Sequence, residues 1–304
     1  MRSIRVAVLI PAYNASKTIS ETLTALQACR DFEKIATVIL LDDGSRDDTA
    51  EVAASSWRSE IALEIWSNDK NKGESTTANS AFGRIPADIE WAFILHADDV
   101  AKLNWISLYL DQITNCSDDV ASICSSYDMW CPETGQIVPG EEYPDRPTVH
   151  ILGTVQAVVD TLERGCWWHV SGCAIRVNAF RQIGGFEPNM RQVADWEWLL
   201  RCLAKGFSVV YLPRSTMLYR QHVGSVSSIN FRQARDIQEK LQVFAAYRDL
   251  GYLSIADYRQ KICRLVYQIF RRALVRAMRC DMMGVRCHAV LLAGTLRKYV
   301  LGQL

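Results

Sequence analysis

The sequence predicts an α/β fold, a mostly parallel, doubly wound sheet flanked by helices, with a helical region following it. Three observations carry this expectation. Over residues 4–115, short apolar runs alternate with stretches of helical periodicity, the pattern of βαβ units. Each run stops at a polar cluster, and right-handed crossovers gather such clusters on one edge of the sheet, where open α/β sheets bind ligands. From Phe231 onward the pattern turns helical, which divides the chain into 1–228 and 229–304.

Ile4–Ile10 reads as a buried strand ending at Pro11, with Ser16 placed to cap a helix that carries Ile19, Leu23 and Leu26 on one face. Thr37–Leu41 is a second strand, ending in Asp42-Asp43-Gly44-Ser45, and Asp47 or Asp48 opens the next helix. Ile61–Trp66 is a third, and Asn71-Lys72-Gly73 leads into a helix around Thr76–Phe82. Trp91–Leu95 is a fourth, and it stops at His96-Ala97-Asp98-Asp99. Adjacent carboxylates at a strand end suit Mg²⁺ or Mn²⁺ on a diphosphate; an acidic turn capping the helix near Lys102 is the competing reading. Val120–Ser126 and Phe207–Leu212 read as further strands, and Ala194–Leu203 as a helix ended by Gly206. The acidic Gly/Pro-rich stretch Pro132–Pro147 is long for a connector and suits a lid or an acceptor-side loop.

Composition is that of an ordinary globular protein, 49% hydrophobic and 22% charged, with a formal net charge of zero. That zero hides an asymmetry. From Arg259 onward there are ten Lys/Arg against one acid, Asp281, a net +9 balanced by −9 in the rest. The ten cysteines form no CxxC pair and no zinc-ligand spacing, which argues for a reducing, cytoplasmic setting. No signal peptide and no run of ~20 apolar residues is present. The loop after the first strand, PAYNAS, lacks the glycines of a nicotinamide-dinucleotide site.

PAYNASKTISETLTAL, ILLDDGSRDDT, NKGESTTANSAF and ILHADD, in that order, resemble the family 2 glycosyltransferases, across roughly residues 4–226. The resemblance implies the GT-A fold and an inverting, metal-dependent transfer from a nucleotide-diphosphate sugar. It implies donor contacts from Pro11, Ala12, Tyr13, Asn14, Asp43, Asn71, Lys72, Gly73, His96 and Asp98. Asp43 would accept a hydrogen bond from the base ring, and Lys72 would face phosphate. Asp98 and Asp99 fall on the metal motif, whose first position, an aspartate in many members, is His96 here; a neutral imidazole can still ligate Mn²⁺. His222, in the segment Tyr219-Arg220-Gln221-His222 followed by Ser225, is the third metal or phosphate candidate. Asp195 falls on the catalytic base, which takes the acceptor proton during attack from the face opposite the leaving diphosphate. Trp168, His169, Gly185, Phe186, Glu187 and Trp196 fall on the acceptor side, with core packing the alternative for Trp168 and His169. The acceptor implied is a glycan, lipid-linked or other hydroxyl, in bacterial-type cell-surface polysaccharide synthesis. The alternative is a non-catalytic nucleotide-sugar-binding or scaffold protein of the same fold.

In 262–278 an apolar stripe runs through Ile262, Leu265, Ile269, Phe270, Leu274 and Met278, among Arg264, Arg271, Arg272, Arg276 and Arg279 with no acid on the same stretch. Such a helix can lie on an anionic membrane at the inner face. Alternatively its stripe packs on the catalytic domain or on a second subunit. Nucleic acid is not an expected partner, because few aromatics interleave these arginines.

Overall fold

A computed structural model describes residues 4–140, 147–222 and 226–300, with side chains to 297. Residues 141–146 of the acidic loop and Ser225 lie outside the described residues. In chain order the elements are β1 (Val6–Ala12), α1 (Ile19–Gln27), β2 (Thr37–Asp42), α2 (Thr49–Ser56), β3 (Leu63–Ser67), α3 (Glu74–Arg84) and β4 (Trp91–Ile94). Then come β5 (Val100–Ala101), α4 (Trp105–Asn115), β6 (Val120–Cys131), β7 (Gln136–Val138), β8 (Val149–Ile151), α5 (Val155–Arg164), β9 (Ala174–Arg176) and α6 (Val177–Ile183). The chain continues through α7 (Ala194–Ala204), β10 (Ser208–Arg220), α8 (Val226–Arg232), α9 (Arg235–Asp249), α10 (Ile255–Met278) and α11 (Met282–Val300).

The strands form one sheet in the order β3-β2-β1-β4-β9-β6-β10-β5, with β7 on β6 and β8 on β10. β1 to β4 pair in parallel, while β9 runs antiparallel to both of its neighbours. Strands buried on both faces read as continuous apolar runs. Along β1, Val6, Val8 and Ile10 enter one core layer beside Leu23 and Trp105, and Ala7 and Leu9 enter the other beside Phe82 and Trp198. This mixed sheet with helices on both faces, tied to a C-terminal helical region, is the GT-A fold.

Several local expectations shift. α1 starts at Ile19 with Thr18 before it, so Ser16 is not its cap; Ser16 N instead donates to Asp47 Oδ2. β10 runs eight residues past Leu212, because two register shifts let one strand follow β6 along its length. Part of the acidic loop is the strand β7, which turns back on β6. Residues 229 onward share the body's core: Ile237, Phe244, Tyr258, Ile262 and Ile269 belong to the same buried cluster as Leu9 and Trp198.

Candidate active site

The loops after β1, β2 and β3 are tied into one cradle at the C-terminal edge of the sheet. Asn14 sits in the left-handed region (φ 50°), where its short polar side chain is tolerated. Its N donates to Ser45 Oγ and its Oδ1 accepts from Arg46 N, each at 2.9 Å. Asp43 binds the third loop: Oδ1 accepts from Lys72 N, Asn68 Nδ2 and Thr77 Oγ1, and Oδ2 accepts from Gly73 N, all at 2.8–2.9 Å. Gly44 allows this approach, since a Cβ there would stand 2.6 Å from the Lys70 carbonyl carbon. Tyr13 stands exposed at the edge of the cradle.

β4 delivers the acidic corner. Asp99 is fully buried; Ser171 Oγ donates to its Oδ2 (2.5 Å) and Arg220 N to its Oδ1 (3.0 Å). Burial, then the neighbouring Asp98 charge, pushes its carboxyl up to about 7. Arg220 also donates from Nε to the Asp98 carbonyl and pairs with Glu21, its guanidinium lying over Trp130. Asp98 is more open, with Oδ2 3.4 Å from His222 Nε2. His96 Nε2 lies 2.9 Å from Glu74 Oε1, an ion-pair approach without hydrogen-bond alignment, so this buried nitrogen is otherwise unpartnered. Burial opposes the imidazolium, but the charges of Glu74, Asp99 and Asp98 outweigh it and raise the group to about 10. One ligand atom each from His96, Asp98 and Asp99 fall within 4.8 Å of one another. The two carboxylates suit a hard divalent cation such as Mg²⁺ or Mn²⁺, and His96 could join them only after giving up the proton that Glu74 and the two aspartates hold on it.

A second carboxylate approaches the same cleft from α7. Asp195 stands in the first turn, where its Oδ1 accepts from Trp196 N at 2.7 Å. Burial pushes it up to about 6, partly offset by that hydrogen bond, with a further rise from Glu74. Between the two acidic positions stands an aromatic wall. His169 packs on Tyr127 (ring centroids 4.6 Å apart) and Tyr219 (5.0 Å), with His96 6.4 Å away. Burial drives the His169 imidazole down to about 4, so it is neutral, with Nδ1 2.9 Å from the Ser171 carbonyl. The loop leading into Asp195 is held from behind by α9. Buried Glu239 accepts from Arg191 N, Gln192 N and Val193 N at 2.8–3.0 Å.

The glycosyl transferase family 2 model matches residues 7–177, more than half of the chain. The chain belongs to that family. This family 2 glycosyltransferase is similar to the glycosyltransferase GlyG of Streptococcus pneumoniae, 24% identical over 248 residues, 77% of each chain. Among solved structures it resembles S. aureus TarS 1–349 in complex with UDP-GlcNAc (TM-score 0.60, 15% identity, 98% of this chain and 92% of that one). A longer TarS chain is covered over 54% of its length. The mannosyltransferase PcManGT of Pyrobaculum calidifontis, in complex with GDP-Man and Mn²⁺, matches with TM-score 0.57 and 16% identity over 96% of this chain and 84% of that one.

Several residues expected at the glycosyltransferase's site have other work. Both Asp43 oxygens are engaged within the protein, which shapes the cradle, and Oδ2, with Gly73 N as its one donor among the described residues, keeps a lone pair for a further donor. The Asp42 carboxylate, at the end of β2, accepts a single hydrogen bond among the described residues, from Ser45 N. Trp168 and Trp196 are core residues and do not line an acceptor pocket: the Trp168 indole donates to Ser122 Oγ and stacks near Trp198, and Trp196 packs on Phe244. Phe186 is buried against Phe180 and Trp198, and its N and O exchange hydrogen bonds with the Asn79 side chain. Gly185 is pressed on Asn79, and Glu187 orders its own turn through Asn189. Lys72 is exposed and donates to Asn68 Oδ1; Asn71 is exposed beside it. Pro11 and Ala12 end β1 beneath the cradle. Glu74, Tyr127, Ser171 and Glu239 escaped the sequence reading. Glu74 looks there like a helix-start acid, and Glu239 like any polar position of a helix.

Proposed function

We propose that this chain is an inverting glycosyltransferase that moves a sugar from a nucleotide-diphosphate sugar to a hydroxyl of a glycan or lipid-linked acceptor. The observation that carries the reading is a single cleft bordered by two differently tuned acidic positions, the His96–Asp99 corner and Asp195. The cradle formed by Tyr13, Asn14, Asp43 and Gly73 receives the nucleoside, and Asp98 and Asp99, with a deprotonated His96 and with His222 alongside, would hold Mg²⁺ or Mn²⁺. A bound divalent ion supplies charge neutralisation for the diphosphate leaving group. Asp195, held between water and burial, accepts the proton of the acceptor hydroxyl as its oxygen bonds to the anomeric carbon. The bond from that carbon to the diphosphate breaks, releasing a nucleoside diphosphate. Neutral His169 with Tyr127 and Tyr219 offers the apolar face on which a sugar ring can lie. The UDP-GlcNAc and GDP-Man bound by TarS and PcManGT support a donor of this class. Cell-surface polysaccharide synthesis at the inner face of a membrane suits a lipid-linked acceptor; no helix among the described residues is long and apolar enough to cross one.

The His96–Glu74 pair, in place of a first carboxylate, favours a second reading as a non-catalytic nucleotide-sugar binder. Thermal stabilisation by a panel of nucleotide sugars, with and without Mn²⁺, followed by assay of nucleoside diphosphate release, decides between them. Stabilisation with release supports transfer. Stabilisation without release under any acceptor supports the binder, and no stabilisation by any donor overturns both.

A further inference from the structure

The apolar stripe of α10 divides into two faces. Ile262, Leu265 and Ile269 turn inward to the core, while Tyr267, Phe270, Leu274 and Met278 are at least half exposed. α11 packs alongside and continues the outward face with Met282 and Val290, and the two helices enclose an open apolar groove of about 490 Å³. The arginines divide in the same way. Arg264, Arg272 and Arg276 are paired with Glu163, Asp236 and Asp281, acids that the 262–278 stretch itself lacks. Arg271, Arg279, Arg286 and Arg297 are exposed on the same two helices, and no ion pair engages them among the described residues. Of the two acids on these helices and the turn between them, Asp281 is turned to Arg232 and Arg276, and Asp257, at the start of α10, accepts from Ser254 Oγ. The outward face is therefore apolar and cationic.

We propose that this α10–α11 face docks on an anionic lipid bilayer, with Tyr267, Phe270, Leu274 and Met278 in the headgroup–acyl boundary and the four arginines at phosphate level. Charge complementarity selects this occupant. A second copy placed face to face would oppose arginine to arginine, whereas anionic lipid meets the same groups with opposite charge. The long arginine stems can lie along the apolar surface while their heads reach phosphate. Each near-surface arginine contributes about five-fold to partition onto anionic membranes, an effect that salt reduces. The proposal deepens the peripheral placement given above and is independent of the sugar chemistry, since vesicle binding needs no donor.

The test is co-sedimentation of the full chain with phosphatidylcholine vesicles, with and without about one third phosphatidylglycerol. The expected result is binding to the anionic vesicles alone, weakened roughly a hundred-fold in R271E/R286E, because two attractions become repulsions. F270S/L274S should weaken it as well; both pairs are exposed, and circular dichroism confirms that each variant is folded. Absence of binding to anionic vesicles overturns the proposal, as does wild-type binding by both folded variants. A lipid-free dimer that F270S/L274S converts to monomer also overturns it, and assigns the face to a second copy.

Discussion

Asp195→Asn separates the chemical role of the carboxylate from its effect on folding. An aspartate with an ordinary value of 3.8 that is held at about 6 is more costly to ionise in the folded chain than in the unfolded one. At ~1.36 kcal/mol per pH unit this is about 3 kcal/mol, or about 2 once the solvent at the cleft is allowed for. The sign follows from linkage: the raised group binds its proton more tightly when folded, so the penalty is absent below about pH 4 and complete above about pH 6. Asparagine is never ionised, and its Oδ1 can still accept from Trp196 N. The variant should therefore melt roughly 3 °C higher than the parent near pH 7.5 and no higher near pH 4. In the same preparation, sugar transfer should fall by at least about two orders of magnitude, the usual worth of a general base, while donor-induced stabilisation persists. Thermal melts at both pH values and nucleoside diphosphate release check the two halves. A variant no more stable than the parent at neutral pH refutes the burial argument, and full turnover refutes the base.

In the parent, transfer should rise with pH through about 6 as Asp195 loses its proton; a rate–pH profile flat between about pH 5 and 7.5 would contradict this. Glu239→Ala removes an acceptor from three backbone N–H groups near Asp195 and should lower stability by about 3–5 kcal/mol, with Glu239→Gln recovering part of it; chemical denaturation measures both. Asp98→Asn should abolish Mn²⁺-dependent stabilisation by donor while leaving the metal-free melting temperature within about 1–2 °C, since this side chain is among the more open at the corner. Trp168→Ala should lower stability by about 3–5 kcal/mol through a core cavity; a loss of transfer at unchanged stability would return Trp168 to the acceptor pocket.

The sequence by itself determined the parallel half of the sheet and the edge at which chemistry gathers. Both faces of β1, β2 and β4 are buried, so these strands read as unbroken apolar runs, and their crossovers leave one choice of edge for the loops. Motifs whose parts are neighbours in the chain, such as His96–Asp99, were legible for the same reason. Tertiary structure decided what depends on partners far along the chain. Asp42 and Asp43 are adjacent, alike in sequence and both buried, yet residues 68–77 engage the Asp43 carboxylate, while the Asp42 carboxylate accepts from Ser45 N. Trp168 and Trp196 could face substrate or core until Ser122, Trp198 and Phe244 closed over them. Glu74 meets His96 only because the start of α3 and the end of β4 converge, and Glu239 reaches the loop leading into Asp195 across more than forty residues. The arginines divide between paired and exposed because Glu163 and Asp236 arrive from other helices. Local periodicity records which face of an element is buried; packing alone selects the partner that faces it.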